Sequence, residues 1–331
     1  MLYCRPKRVC LDICTLCQLN CRDCYMRTRQ IGAHTWPAPT VGKGYLRFEQ
    51  FKKFLDDNDF VTEIELANCG EMFLNPDLEK MMQYAFEKHV KLMAWTGVNM
   101  NTVSDRVLEA LVKYAFVGLN VSIDGASDDV YCLYRRGGHF TTVINNIKKV
   151  LEYKKKYQAT LPIIHWNYIV MDCTQDIREI RQAKKMAAEL GIDILFRKTY
   201  VDTFVPDDPE AIERETGLVY RNVDLDNVAK RFNYAFPSTY CIQSFTMPRI
   251  NWDGRLFGCC CNNDGWNINV FEMGLEKALS LPEVQYARQM LMNRVPVRPG
   301  GPCATCFELQ RMIRDNIFVS DAEIQKFACS D

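Results

Sequence analysis

The 331-residue sequence has no long hydrophobic run and no excess of charge of either sign. Its 41 basic residues balance 41 acidic ones, so no net field favours a nucleic acid or an anionic membrane surface. The N-terminal residues lack the apolar stretch of a signal peptide, and no segment reaches the length of a membrane span. The four histidines show no metal-ligand spacing. These absences predict a cytoplasmic protein that binds neither nucleic acid nor membrane.

Short β-branched runs alternate with amphipathic helical segments through the first two hundred residues. Ser104 and Thr174 are expected to cap helices at their N-termini, and Gly191 is expected to end one. Six β/α units in order predict an α/β fold with a parallel sheet, most simply a partial (β/α)6 barrel of the TIM type. Such barrels place their chemistry where the strands end. The predicted strands are 9–13, 61–66, 91–95, 116–124, 162–170 and 193–200.

Three segments are predicted along the chain. Residues 1–200 form the barrel, and the polar residues 201–238 form a linker or lid. Residues 239–331 form a small C-terminal domain, in which a hairpin turns at Asp253 and Gly254.

Cysteine is abundant, with sixteen residues. In a long cytosolic chain, dense cysteine clusters indicate metal or redox chemistry more often than disulfides. Cys17, Cys21 and Cys24 form a C-x3-C-x2-C loop directly after the first predicted strand. Soft thiolates on a short loop suit an iron–sulfur cluster, and three ligands leave one iron of a 4Fe-4S cluster open to a substrate or cofactor.

This loop resembles the signature of the radical S-adenosylmethionine (SAM) superfamily, in which an aromatic residue often follows the last cysteine, as Tyr25 does here. The resemblance implies that Cys17, Cys21 and Cys24 hold a 4Fe-4S cluster whose open iron binds SAM. Reductive cleavage of SAM then gives a 5′-deoxyadenosyl radical, which abstracts a hydrogen from the substrate.

Other segments extend the resemblance. Gly70 and Glu71 stand in the family's Gly-Gly-Glu-Pro motif, which contacts the amino group of SAM, whereas Cys69 and Met72 depart from it. Strand segments that approach the ribose or carboxylate of SAM in relatives match Ser122, Asp124 and Asn167 here. Two arginines after the fourth predicted strand and one at the end of the sixth either bind a substrate anion or cap loops; they are Arg135, Arg136 and Arg197.

A second group of cysteines resembles the C-terminal SPASM and twitch extensions of these enzymes. There, a hairpin with Gly-x4-Cys and a later C-x2-C hold an auxiliary 4Fe-4S cluster, and Gly254 to Cys259 has that spacing. Only Cys329 follows the C-x2-C, so the resemblance implies one auxiliary cluster, as in the twitch arrangement. The implied ligands are Cys241, Cys259, Cys303 and Cys306.

Several alternatives remain open. Cys260 or Cys261 could replace Cys259, and the spare thiol would either donate a hydrogen atom to a substrate radical or fill a small gap in the core. Cys14 could complete a four-cysteine zinc site with the loop, and the second group could be a zinc ribbon. Cys4 and Cys10 are expected in the core.

The resemblance implies dehydrogenation or epimerisation of a small molecule. The positions of the chain ends leave no room for a peptide-recognition domain, so a carbohydrate-like substrate is expected, with an electron donor such as a flavodoxin or ferredoxin. Radical modification of a peptide or protein is the alternative. A non-catalytic iron–sulfur or zinc protein that binds a partner is an alternative of another class.

Overall fold

The computed structural model describes residues 5–24, 26–27, 29–31, 34–36, 40–199, 204–220, 239–262, 264–304 and 306–328. The chain forms two compact units. The first consists of Met1–Leu16, Ala38–Leu92 and Tyr234–Asp331, and the second of Cys17–Pro37 and Met93–Asn233. The division into residues 1–200, 201–238 and 239–331, made from the sequence, stays a prediction.

The described residues form nine strands and thirteen α-helices. The strands are β1 (Arg8–Leu11), β2 (Arg29–Ile31), β3 (His34–Trp36), β4 (Glu63–Glu65), β5 (Lys91–Val98), β6 (Gly118–Ser122), β7 (Ile163–Val170), β8 (Asp193–Lys198) and β9 (Arg249–Ile250). The helices are α1 (Phe48–Asp57), α2 (Leu78–Glu87), α3 (Asp105–Lys113), α4 (Asp128–Tyr134), α5 (Phe140–Tyr157), α6 (Ile177–Leu190), α7 (Pro209–Thr216), α8 (Gln243–Thr246), α9 (Val270–Met273), α10 (Leu275–Ser280), α11 (Pro282–Leu291), α12 (Phe307–Asp315) and α13 (Asp321–Ala328).

In the first unit, β1 lies between β4 and β9 and runs parallel to both. Helix α1 forms because its apolar residues recur at helical spacing, and Phe51, Phe54 and Leu55 are buried on one face. The C-terminal helices α8, α11, α12 and α13 pack around a separate apolar cluster that includes Phe245, Leu291 and Met312.

In the second unit, β5, β6, β7 and β8 pair in parallel in that order. Helices α3, α5 and α6 connect these strands, as βαβ units require. β2 and β3 form a short antiparallel hairpin. The six predicted strands correspond to β1, β4, β5, β6, β7 and β8, so the predicted α/β fold with parallel strands is confirmed.

The predicted helix ends are confirmed at two of three positions. Ser104 accepts a hydrogen bond from Val107 N and caps α3, and Gly191 ends α6 with a φ of +68°. The prediction for Thr174 is wrong, because Asp176 caps α6 by accepting from the amide of Arg178. Thr174 is buried instead, where its hydroxyl donates to Ile169 O at 2.7 Å.

The predicted linker contains a helix that the sequence analysis missed. Asp208 caps α7 by accepting from Ala211 N, and Pro209 occupies the first turn. Residues 201–203 and 221–238 lie outside the described residues, so a lid role for this segment stays a prediction. No helix within the described ranges is long and apolar enough to cross a membrane.

Candidate functional site

The loop that carries the first three candidate ligands is anchored in the second unit. Leu19 is buried in a small apolar cluster with Tyr134 and Met171. The amide of Asn20 donates to Arg136 O at 2.8 Å. Side-chain packing and a backbone hydrogen bond therefore both fix the middle of the loop.

The three loop thiols differ in exposure. Cys17 is exposed, Cys24 is half-buried, and Cys21 is buried. Asn99 Nδ2 lies 3.7 Å from Cys17 Sγ, and Arg135 Nη1 lies 3.8 Å from Cys21 Sγ. Burial raises the pKa of Cys21, and the charge of Arg135 opposes that shift. Both donors favour the thiolate, which is the form that binds metal.

Arg135 is itself fixed by a buried carboxylate. Its Nε and Nη2 lie 2.7 and 2.6 Å from Asp124 Oδ2, and Asp124 is fully buried. The other oxygen of Asp124 accepts from Ile169 N at 2.8 Å. The sequence analysis allowed two roles for Arg135, binding of a substrate anion or capping of a loop. In the structure Arg135 contacts the sulfur of Cys21.

Asn99 is a site residue that the sequence analysis missed. It follows β5 within the sequence VNMN and accepts from Gln18 Nε2 at 2.8 Å and from Asn101 N at 2.9 Å. The signal was a pair of amide side chains, Asn99 and Asn101, where a parallel strand ends. Such side chains hold the loop that follows.

The Gly70–Glu71 turn lies against the residues that precede the cysteine loop, within the first unit. Gly70 has a φ of +74°, and a Cβ there would lie 2.5 Å from Cys14 O, so only glycine fits. Glu71 N donates to Leu16 O at 2.8 Å. The buried Glu71 carboxylate accepts from Phe73 N at 3.2 Å, so it caps the following turn.

Ser122 and Asn167 are paired across β6 and β7 and share one face of the strands. The alternate residue Trp166 packs against Phe140 of α5 with ring centroids 6.0 Å apart. Ser122 and Asn167 therefore lie on the face opposite α5. Asn167 Oδ1 accepts from Arg197 Nε at 2.6 Å, so the predicted cofactor residue and the predicted cation are in contact.

Two further polar side chains, which the sequence analysis missed, lie on the same face of β6 and β7. His165 Nδ1 lies 3.0 Å from Asn120 Oδ1, and the ring of His165 stacks on Trp95 with centroids 5.2 Å apart. Burial lowers the pKa of His165, which favours a neutral imidazole. Their period-two spacing on β6 and β7 was the available signal. Tyr25 lies outside the described residues.

The second cysteine group lies in the first unit and comes from three segments. Cys241 precedes α8, Cys259 follows the hairpin, and Cys303 and Cys306 precede α12. The hairpin turn at Asp253 and Gly254 is confirmed: Asn251 N donates to Arg255 O, and Gly254 N donates to Asn251 O, both at 2.9 Å.

These thiols are close enough to influence one another. Burial raises the pKa of Cys241 and Cys259, and neighbouring thiolates raise it further: Cys259 acts on Cys241, whereas Cys260, Cys303 and Cys306 act on Cys259. The pKa of Cys303 is raised to about 12, first by burial and then by Cys306. Like charges that repel in a buried site are balanced by a bound cation, and that donor set fits an iron–sulfur cluster or zinc.

Cys260 and Cys261 are adjacent thiols with sulfurs 3.9 Å apart. Their hydrogen bond lowers the pKa of Cys260 and raises that of Cys261. The backbone amide of Cys260 donates to Gln243 Oε1 at 2.8 Å, which fixes this end of the hairpin. Both residues are half-buried, whereas Cys259 is buried, and all three offer the same thiolate donor.

The bonding of the cysteine thiols bears on the choice between disulfides, zinc and iron–sulfur clusters. No disulfide is present among the fourteen cysteines of the described residues. Within the same residues, no three His, Cys, Asp or Glu side chains converge as ready-made metal ligands. The fit of both cysteine groups to a cluster therefore rests on the chemistry of their thiolate donors alone. Cys14, by contrast, is buried beside Tyr45. Burial is the main cause that raises the pKa of its thiol to about 11.

Comparison with known proteins places the fold. No protein-family model and no curated protein matches the chain. Crystal structures of SuiB from Streptococcus suis are similar to it. The structure bound to S-adenosylmethionine has a TM-score of 0.59 at 15% identity, covering 92% of this chain and 71% of SuiB.

Two further SuiB structures agree. The complex with the precursor peptide SuiA has a TM-score of 0.59 at 14% identity, covering 92% of this chain and 70% of SuiB. SuiB alone has a TM-score of 0.60 at 14% identity, covering 96% and 76%. At this identity the likeness shows the fold. It confirms the predicted α/β fold with its partial-barrel architecture.

Proposed function

We propose that this chain is a radical SAM enzyme that removes a hydrogen atom from an unactivated C–H bond of its substrate. The observation that carries the proposal is the C-x3-C-x2-C loop itself: it follows β1, and hydrogen-bond donors lie at the sulfurs of Cys17 and Cys21. Non-catalytic zinc sites use closed sets of four ligands, whereas this loop offers three, with Cys17 exposed.

Each residue of the loop and its surroundings has a role in this proposal. Cys17, Cys21 and Cys24 hold a 4Fe-4S cluster, and Tyr25 follows the last of them. When bound, that cluster supplies the electron that cleaves SAM to methionine and a 5′-deoxyadenosyl radical. Asn99 and Arg135 donate toward the sulfurs and stabilise the thiolate form.

The residues proposed to bind SAM lie on two surfaces. Gly70 and Glu71 present backbone groups to its amino group, since the Glu71 carboxylate is occupied in capping the next turn. Ser122 and Asn167 lie together on the polar face of β6 and β7 and bind its ribose or carboxylate. The hydrogen bond from Arg197 Nε holds the side-chain oxygen of Asn167, so its amide is oriented before SAM arrives.

Cys241, Cys259, Cys303 and Cys306 are proposed to hold one auxiliary 4Fe-4S cluster. The buried thiols of Cys241 and Cys259 suit a closed site that exchanges electrons but admits no substrate. When bound, the cluster would supply an electron acceptor, so that loss of a hydrogen atom followed by loss of one electron and one proton would make a two-electron oxidation of the substrate. A flavodoxin or ferredoxin would reduce the first cluster.

For the substrate, we favour a peptide. The likeness to SuiB, which was crystallised with its precursor peptide SuiA, supports a peptide more than the carbohydrate expected from the sequence. The sequence argument depended on the positions of the chain ends, and these do not exclude a recognition domain on another protein.

The function can be tested by incubating reconstituted enzyme anaerobically with dithionite and SAM and measuring 5′-deoxyadenosine. Synthetic peptides and a set of monosaccharides and aminocyclitols are then added separately. Faster deoxyadenosine formation with a peptide that also loses two mass units supports peptide oxidation. The same response with a sugar supports the carbohydrate alternative. No deoxyadenosine under any condition would favour the non-catalytic iron–sulfur or zinc protein.

A further inference from the structure

A fully buried ion pair lies in the first unit. Arg249 Nε of β9 lies 2.7 Å from Asp12 Oδ2, just after β1, and both side chains have no exposed surface. A buried charge is costly unless it is paired and hydrogen-bonded. The two side chains are therefore held in one geometry.

Cys69 completes this arrangement. Its backbone amide donates to Asp12 Oδ1 at 3.1 Å, and Arg249 Nη2 lies 2.9 Å from its sulfur. Cys69 is also buried. Cys69 stands where the Gly-Gly-Glu-Pro motif has a glycine. A glycine has no side chain that could reach Arg249, whereas the thiol of Cys69 does.

The contact bears on the turn that follows. Cys69 immediately precedes Gly70, whose positive φ and close approach to Cys14 O leave no room for a side chain. Glu71 N then binds Leu16 O at 2.8 Å. The turn is thus fixed at its start by Asp12 and Arg249 and at its end by Leu16.

Arg249 also supports the hairpin that leads to the second cysteine group. Its carbonyl accepts from Phe257 N at 2.8 Å and from Gly258 N at 3.1 Å, and its guanidinium lies 4.6 Å from the centre of the Phe257 ring. Cys259 follows directly. One arginine therefore contacts both Cys69, which precedes the turn, and Phe257, which lies two residues before Cys259.

We infer that Asp12, Arg249 and Cys69 form a positioning clamp that holds the Gly70–Glu71 turn in the conformation that receives the amino group of SAM. The inference rests on the proposed function for that amino group, but its structural part does not. The proposed function assigns none of the three residues a contact with the reacting atoms, so their removal should weaken SAM binding and leave the chemical step intact.

The first test is amide hydrogen exchange on the full chain without cofactors. Arg249→Met and Cys69→Ala are each expected to speed exchange of the Glu71 amide about tenfold or more by opening the turn locally. Cys69→Ala leaves the buried ion pair intact, so it remains informative if Arg249→Met does not fold. Arg288→Met is the matched control, because Arg288 is a buried arginine of the same unit that contacts Ser244 and Phe245.

The second test is steady-state deoxyadenosine formation by the same reconstituted variants. The KM for SAM should rise about tenfold in Arg249→Met with kcat within about twofold, because only binding common to ground and transition state is lost. Arg249→Lys should recover part of this loss.

Unchanged exchange at Glu71 in both variants, or an equal increase in Arg288→Met, would overturn the clamp. A fall in kcat with unchanged KM would also overturn it. Faster local exchange in a protein that binds no SAM would support the clamp as a structural device and refute the proposed function of the turn.

Discussion

The two cysteine groups are built in opposite ways. The first comes from one short loop and leaves Cys17 exposed, whereas the second joins three distant segments and buries Cys241 and Cys259. Polar donors reach the sulfurs of the first group, whereas thiols mainly surround thiols in the second. An open site accepts a ligand and a closed one does not. This difference supports the proposal that the loop is the catalytic site and that the second group carries electrons.

The strongest challenge to this comparison is loss of one loop ligand. Cys21→Ser is expected to abolish deoxyadenosine formation and to lower iron from about eight to about four atoms per chain, since one 4Fe-4S cluster is lost. Cys14→Ser is the matched control, because Cys14 lies in the same segment. This variant should keep both its deoxyadenosine formation and its iron content. Equal iron loss in the two variants would mean that Cys14 is a ligand and that the loop is a closed four-cysteine site.

Loss of a ligand in the second group should separate the two roles. Cys241→Ala is expected to lower iron to about four atoms per chain while deoxyadenosine is still formed, because the open site remains. Oxidised product should disappear. Cys10→Ala removes another buried cysteine of the same unit and should retain iron and product. Full iron content in Cys241→Ala would remove this residue from the ligand set.

Removing the cation beside the loop should cost stability. Arg135→Met leaves the buried Asp124 without its partner, so unfolding free energy should fall by about 3–5 kcal/mol in chemical denaturation. The neighbouring Arg136 is exposed, and Arg136→Met should change it by less than about 0.5 kcal/mol. Similar losses in both variants would show that the pairing with Asp124 does not carry the effect.

The finest distinction concerns the adjacent thiols of the hairpin. If Cys259 is the ligand, Cys260→Ser and Cys261→Ser should each retain about eight irons, because serine replaces only a spare thiol. If one of them loses about four irons, that residue is the ligand instead. A variant that keeps its iron but incorporates no solvent deuterium into an epimerised product would identify the hydrogen donor.

The sequence predicted the features that depend on local spacing. The six strands, the cap at Ser104, the helix end at Gly191 and the hairpin turn at Gly254 follow from short-range patterns, and the structure confirms them. The prediction that Thr174 caps α6 was wrong because two residues suited to capping, Thr174 and Asp176, stand two positions apart. Burial of the threonine hydroxyl decides between them, and burial is a tertiary property.

The supporting contacts of the candidate site could not be predicted in this way. Arg135 reaches Cys21, and Asn99 reaches Cys17, across long separations in the chain. Arg249 reaches Cys69 from the opposite end of the sequence. Such contacts depend on strand register and helix packing, whereas the C-x3-C-x2-C spacing is visible directly.

The central claim is tested most directly by anaerobic reconstitution of the wild-type chain with iron and sulfide, followed by metal analysis and a 5′-deoxyadenosine assay with dithionite and SAM. Two clusters predict about eight irons per chain and reductive cleavage of SAM. A chain that takes up zinc in place of iron and forms no deoxyadenosine would contradict the account.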